Sequence, residues 1–385
     1  MSTQAEAELK RAITGARPYF HEEDIPEILG RVENILRGGR LIFGDNTRAF
    51  EESFRAEVGT EHAVSVNSCT TALEIALRFY DVRDREVIVP TNTFASAVKA
   101  VIYAGGVPVL ADMDAHTFCL DVDDALARIT PRTAGVIAVH LAGLIDPQFE
   151  RLGGLCRERG LFLIEDGSHA HGAAIDGRKA GSLADVGCFS FYPTKIMTTG
   201  TGGILVTDNA ELADFARSLR HHGQGEGLED IVNFGNDWCM DELSAVLGIY
   251  QLKRLGQNVE HRRQLVEWYR QELAGDRWLS IPHYPANVRH SYYKIAVLLE
   301  PGIDKNRLRR ILRDEHRIDI GSLYDPPCHL QPVFQKQLGY RRGMFPQAEA
   351  ALLRQTCLPT HALVGRDDVA ATANALRQAV GRCRG

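Results

Sequence analysis

The sequence predicts an α/β protein: a mostly parallel central sheet covered by helices, followed by a smaller α+β part. Three observations predict it. Between residues 62 and 207, short apolar runs alternate with stretches of helical length, and connectors of that size join parallel neighbours. The runs Val87-Ile88-Val89 and Leu161-Phe162-Leu163-Ile164 are apolar throughout, as strands buried on both faces are. Beyond Pro282 the alternation stops, and Pro326-Pro327 and Pro359 punctuate a different pattern.

The elements follow in order. Residues 25–36 carry the helical period and end at Gly38-Gly39. Phe43-Gly44-Asp45-Asn46 reads as a turn, and Thr47 as the cap of a helix with Phe50 and Phe54 on its apolar side. The α/β run then gives a strand at 63–66, a helix at 70–80 and a strand at 86–89 stopped by Pro90. A helix at 94–103, a strand at 107–111, a helix at 122–129 and a strand at 135–140 come next. A helix at 147–159 and strands at 161–164, 186–191 and 204–207 complete the sheet. Residues 241–273 read as one long helix, with Gly248 and Gly256 as candidate breaks, bridging to a strand at 292–299 and helices at 305–315 and 368–380. The expected division is a large domain over residues 36–259 and a small one over 260–385, with residues 1–35 packing on the latter.

Composition narrows the function. A chain of 385 residues, 44% hydrophobic and 24% charged, has the make-up of a soluble globular protein with room for two domains. A net charge of -6 argues against a nucleic-acid or anionic-membrane surface, and Arg377, Arg382 and Arg384 are too few to alter that. The 8 cysteines are scattered without a CxxC pair, which reads as reduced thiols of a cytoplasmic protein. The polar start Met1-Ser2-Thr3-Gln4 has no apolar signal core, and no apolar run is long enough to span a membrane.

In parallel sheets ligands bind beyond the carboxyl ends of the strands, and three chemical features fall there. Ser68, Cys69, Thr70 and Thr71 stand between a strand and a helix, where free N–H groups and the helix dipole make a phosphate seat. Plain N-capping by Ser68 would explain the same segment equally well. Glu165-Asp166 follows an apolar run directly, and an acid at a buried strand end wants a protonated partner or a metal. His169 and His171 nearby lack a third ligand pattern, so no metal site is expected. Lys195 sits in Phe191-Tyr192-Pro193-Thr194-Lys195-Ile196-Met197, surroundings that favour a neutral, nucleophilic amine. A phosphate seat, a strand-end acid and a lysine are the set that pyridoxal 5′-phosphate needs, and Phe94 offers an aromatic face for its ring. Neither GxxxxGK[ST] nor a post-strand GxGxxG occurs, which disfavours nucleotide cofactors.

The order Asn67-Ser68-Cys69-Thr70-Thr71-Ala72-Leu73, Pro90-Thr91-Asn92-Thr93-Phe94, Glu165-Asp166 with His171-Gly172-Ala173, Thr194-Lys195 and Gly202-Gly203 resembles the DegT/DnrJ/EryC1/StrS aminotransferases. Tyr324-Asp325-Pro326-Pro327-Cys328-His329-Leu330-Gln331-Pro332 extends the resemblance towards the C-terminus. It implies a fold-type I pyridoxal-phosphate transferase acting as a homodimer with active sites at the subunit interface. It also implies amino transfer from L-glutamate to a keto group of a nucleotide-linked sugar, with pyridoxamine 5′-phosphate as intermediate. Lys195 would form the imine and move the proton, Asp166 would bind the pyridine nitrogen, and Phe94 would stack on the ring. Ser68, Cys69, Thr70 and Ser190 would hold the phosphate. His169, where many members have Gln, would face the ring hydroxyl. Asn236, or Asp237 beside it, would reach the partner subunit's phosphate, and Tyr324 and His329 would meet substrate. A cyclitol or an aminohydroxybenzoate-type keto precursor is the alternative acceptor. A sugar dehydratase is disfavoured because such members replace the lysine by His. A cofactor-binding regulator without turnover would need a basic DNA-binding segment, and none is evident.

Overall fold

The computed structural model describes residues 12–384 apart from Glu226 and Leu228. The first part of the chain runs α1 (Ile25–Gly38), α2 (Asp45–Val58), β1 (His62–Val66), α3 (Cys69–Phe79), β2 (Glu86–Pro90), α4 (Ala95–Tyr103) and β3 (Val107–Ala111). It continues with α5 (Val122–Ala127), β4 (Thr133–Val139), α6 (Phe149–Glu158) and β5 (Phe162–Asp166). The hairpin β6 (Ala174–Ile175) and β7 (Arg178–Lys179) precedes β8 (Val186–Ser190), β9 (Gly203–Thr207) and α7 (Ala210–Leu219).

A 7-stranded sheet forms in the order β1-β9-β8-β5-β4-β2-β3. The pairs among β2, β3, β4, β5 and β8 are parallel, and β9 runs antiparallel to both its neighbours. Strands β4, β5 and β9 are buried at every position, which is why their sequences are near-continuous apolar runs rather than alternating ones. The carboxyl ends of β1, β5 and β8 gather at one edge, where β9 begins: Gly203 pairs with Val66 on one side and with Ser190 on the other. That edge carries the phosphate-seat segment, the acid and the lysine turn.

The long helix expected over 241–273 is two helices, α8 (Glu242–Lys253) and α9 (Leu255–Glu272), and the break falls at Arg254 rather than at a glycine. The break is held by charge. Arg254 Nε lies 2.7 Å and Lys253 Nζ 3.0 Å from the buried carboxylate of Asp24, just ahead of α1. Gly248 serves packing instead, because a Cβ there would stand 2.7 Å from the Phe50 ring of α2.

The remaining elements are β10 (Leu279–Ser280), β11 (Val288–Arg289), β12 (Ile295–Leu299), α10 (Lys305–His316), α11 (Pro332–Leu338), α12 (Pro346–Arg354), β13 (Gln355–Leu358) and α13 (Arg366–Val380). Strands β10, β12 and β13 form an antiparallel sheet, while β11 joins the β6–β7 hairpin. Helix α9 serves two cores: Leu255 and Val259 pack with the large sheet, and Leu265, Val266 and Tyr269 pack with Ile295, Leu308 and Leu376. The N-terminal stretch is also divided. Ile13 bridges to Ile318 beside the second core, whereas α1 sets Ile28 and Ile35 on Val246 and Tyr250 of α8. Among the described residues no helix is long and apolar enough to cross a membrane.

Candidate active site

A cavity of about 410 Å³ opens at the carboxyl edge of the sheet, and Cys69, Phe94, Asp166, Lys195, Tyr293 and Tyr324 line it. At its floor, the extended Ser68 caps α3, its Oγ accepting from Thr71 N at 3.2 Å. The capping reading of Ser68 is therefore correct for its side chain. The N–H groups of Cys69 and Thr70 meet no acceptor among the described residues, and both residues line the cavity. Gly203 passes directly beneath: a Cβ there would lie 2.3 Å from Ser68 C and 2.5 Å from Cys69 N. Backbone touches backbone, so β9 fixes the height of the helix start. Free N–H groups at a helix N-terminus form a seat for an anion. Ser190, at the end of β8, lines the same cavity.

Asp166 ends β5 and is buried, its Oδ1 accepting from Ser168 N at 3.0 Å. Glu165, one residue earlier, belongs to the other side of the pleat. It accepts from Gly181 N at 2.7 Å, Leu183 N at 2.7 Å and Ala184 N at 2.9 Å, and pairs with His140 Nε2 at 2.7 Å. Glu165 and His140 are thus a structural pair, and the strand alternation leaves Asp166 alone for the cavity. Cys69 stays a thiol: burial, reinforced by Asp166, pushes it well above its ordinary range, and Ser168 Oγ donates to its Sγ at 3.0 Å.

Lys195 stands in the turn between β8 and β9, with its Nζ 4.8 Å from the centre of the Tyr293 ring. Burial lowers its amine to about 8; Asp166 and Cys69 oppose that shift and Lys294 adds to it. The hydroxyls of Thr194 and Tyr293 share a hydrogen bond of 3.0 Å, which ties the lysine turn to the chain just ahead of β12.

His169 is buried against Tyr293, ring centres 4.2 Å apart. Burial, then the nearby Lys195, hold its imidazole well below its usual range, so the ring is neutral. Its Nδ1 accepts from Ala142 N at 3.3 Å, which puts the proton on Nε2. Nε2 then donates to the Tyr324 hydroxyl at 2.8 Å. The expected free donor at His169 is therefore taken, and the Tyr324 hydroxyl proton is the one left for a ligand. Phe94 precedes α4 and is 57% exposed, its ring centre 6.0 Å from that of Tyr324.

Of the residues expected at the site, His329 does not reach this cavity, and Asn236, whose expected contact is the partner subunit's phosphate, lies outside it. His329 is fully buried, with Nδ1 bonded to Thr91 Oγ1 at 2.7 Å and Nε2 to Glu349 Oε1 at 3.0 Å, so the substrate role expected for it is not supported. Its turn is seated on the residue that follows β2 by the bond from Cys328 N to Thr91 O at 2.9 Å. Asn236 is exposed outside the cavity, its Oδ1 accepting from Asp237 N at 2.8 Å. Nearby, Trp238 packs under Arg78 with 5.5 Å between guanidinium and ring centre, and Cys239 Sγ donates to Arg220 O. Sequence reasoning missed Tyr293 and Ser168. The period-2 pattern around 292–299 separates Tyr292 from Tyr293 but does not say which faces a cavity.

Comparison with known proteins agrees with this arrangement. A family model described as the DegT/DnrJ/EryC1/StrS aminotransferase family matches residues 22–377. The chain is 35% identical over 339 residues to GDP-perosamine synthase of Caulobacter vibrioides, covering 86% of this chain and 88% of that protein. It is 34% identical over 354 residues to the UDP-N-acetyl-3-dehydro-alpha-D-glucosamine 3-aminotransferase of Acidithiobacillus ferrooxidans, covering 91% and 93%. Among solved structures, Spr1654 from Streptococcus pneumoniae in its PLP-form superposes with a TM-score of 0.90 at 27% identity, over 97% of this chain and 100% of that one. The fold, the strand-end constellation and the match over residues 22–377 lead to one conclusion: the chain belongs to the DegT/DnrJ/EryC1/StrS aminotransferase family.

Proposed function

We propose that this aminotransferase uses pyridoxal 5′-phosphate to carry an amino group, drawn from L-glutamate, to a keto group of a nucleotide-linked sugar. The observation that carries the reading is one cavity uniting an amine lowered to about 8, a buried carboxylate and two open helix N–H groups. The relatives that act on GDP-, dTDP- and UDP-linked sugars support the acceptor class.

The residues present fit the cofactor. The N–H groups of Cys69 and Thr70, with the hydroxyls of Thr70 and Ser190, would hold its phosphate. The Asp166 carboxylate would keep its ring nitrogen protonated, and the exposed Phe94 ring would cover one face. The Tyr324 hydroxyl, oriented by His169, supplies a donor for an oxygen on the cofactor or substrate. When bound, pyridoxal phosphate supplies a carbonyl that takes up amines and a ring that draws off electrons when a carbon-bound proton leaves. Lys195 is placed to take that proton and return it, and an amine lowered to about 8 is matched to transfer near neutral pH. Tyr293 packs beside that amine and excludes water from it.

The working unit is a cytoplasmic homodimer with active sites at its interface. Ile231, Val232 and Phe234 support this, because the loop bearing Asn236 exposes all three, Phe234 at 97%. Purified protein loaded with the cofactor should change colour on adding L-glutamate and release 2-oxoglutarate, and keto-sugar nucleotides should then restore the starting spectrum. No spectral change with any amino donor would overturn the reading.

A further inference from the structure

Two amines bear on one ring. Lys195 Nζ lies 4.8 Å and Lys294 Nζ 5.1 Å from the centre of Tyr293, so the two nitrogens are within about 10 Å of each other. Lys294 is half-buried, and among the described residues no carboxylate comes within ion-pair distance of its Nζ. Its hydrogen-bond partner is neutral: Nζ donates to the Gly15 carbonyl at 3.1 Å. Gly15 is in turn held by a short pairing, Ile13 N to Arg317 O at 3.0 Å and Asp319 N to Ile13 O at 2.8 Å. A methionine would fill the same space without the cost of desolvating a charge. A cation retained there, aimed at the ring that also carries the reactive amine, calls for an electrostatic account.

We propose that Lys294 is a positioning residue whose charge, anchored by the N-terminal segment through Gly15, raises the neutral, reactive fraction of the Lys195 amine. The other charged and titratable groups are few. Asp166 of β5 and Cys69 of α3 favour the ammonium at Lys195, and His169, Tyr293 and Tyr324 border the same space. Around Lys294, burial lowers its own amine, Cys357 of β13 opposes that, Arg262 of α9 adds to it, and Asp319 favours the charge. Burial does most to lower the Lys195 amine, and Lys294 adds to it, offsetting part of the pull of Asp166 towards the unreactive ammonium. Two charges at that separation in a medium of effective dielectric constant ~20 move an amine by about one pKa unit, a tenfold change in its neutral fraction.

The inference rests on Lys195 being the reactive amine, but its test reads that amine directly and is separable from any transamination assay. Full-length protein stripped of cofactor is acylated with a limiting amine-reactive reagent across pH, and labelling of Lys195 is quantified by peptide mass. Wild type should show a midpoint near the value of about 8. Lys294→Met should move the midpoint up by about one unit and slow labelling at neutral pH by up to about tenfold, while Lys294→Arg keeps the wild-type midpoint. Circular dichroism checks the fold, and Lys294→Gln serves should the Met variant fail to fold. An unchanged midpoint in the neutral variants, or Lys294→Arg shifting as far as Lys294→Met, overturns the proposal.

Discussion

Gly203→Ala tests how the phosphate seat is built. The added Cβ would stand 2.3 Å from Ser68 C and 2.5 Å from Cys69 N, where ordinary contact begins at 3.4 Å. Both are backbone atoms, so no side chain can swing aside, and the start of α3 must retreat by about 1 Å or β9 must yield. Overpacking of this kind costs ~1–3 kcal/mol, read as a lower Tm. The N–H groups of Cys69 and Thr70 ride on the displaced backbone. A hydrogen bond to a charged partner contributes roughly 1.5–3 kcal/mol, so loss of one weakens pyridoxal-phosphate binding about ten- to a hundredfold. The assay is an absorbance titration of stripped protein with the cofactor, alongside thermal melts. Gly154→Ala is the control, since the nearest atom to its Cβ would be 4.0 Å away, and its affinity should match wild type. Binding within about twofold of wild type in Gly203→Ala, whatever its Tm, would refute the claim that β9 sets the seat.

Three further perturbations follow from the same geometry. Lys195→Ala should lower the rate of the glutamate half-reaction by at least ~10² to 10⁴ while leaving the phosphate seat able to bind the cofactor, both read by absorbance. Tyr324→Phe strips the acceptor from His169 Nε2 and leaves a buried donor unpaired, which costs ~1–3 kcal/mol and lowers Tm, whereas an unchanged Tm and half-reaction rate would refute the assigned tautomer. Asp24→Asn should lower Tm near neutral pH: the bond from Arg254, despite burial, holds the Asp24 carboxyl at about 2 against an ordinary 3.8. Because the folded value is the lower one, the stabilisation is full above roughly pH 4 and fades towards pH 2, so the Tm gap to wild type should close over that window, and a constant gap would contradict it.

The parallel sheet and the strand-end chemistry were legible because both are local. An apolar run that ends in Asp166, or a small-residue turn at Ser68-Cys69-Thr70, fixes its own place once the strand direction is known. Features set by tertiary contact were not legible. The break at Arg254 depends on Asp24, over two hundred residues earlier, and glycine was the wrong sign to follow because Gly248 answers to the Phe50 ring. His329 carries a suggestive motif, but Thr91 and Glu349 occupy both its nitrogens, and neither partner is a sequence neighbour. Tyr293 meets the site through distant pairings, Ser291 N to Gly143 O and Lys294 N to Ala142 O, that hold its segment beside the lysine turn. Strands of two residues, such as β10 and β11, bury too little to leave a periodic signal.

The two groups of residues at the cavity differ in origin, and that difference explains why the reaction is easier to read than its acceptor. Cys69, Asp166 and Ser190 sit on the ends of strands or the first turn of a helix, locked by the pairing of β1, β9, β8 and β5. Such positions cannot move without breaking the sheet, so they suit the invariant part of the chemistry, the grip on the cofactor. Tyr293 and Tyr324 come from the connections around the second sheet. Loops tolerate change, and what they present decides which keto compound is accepted. It follows that exchanging the segment around 326–331 with that of a relative, with Tyr293, Lys294 and Tyr324 kept, should alter acceptor preference while the glutamate half-reaction persists. Were the half-reaction lost instead, with the fold and the affinity for pyridoxal phosphate intact, the division between a rigid cofactor edge and a variable acceptor wall would be wrong.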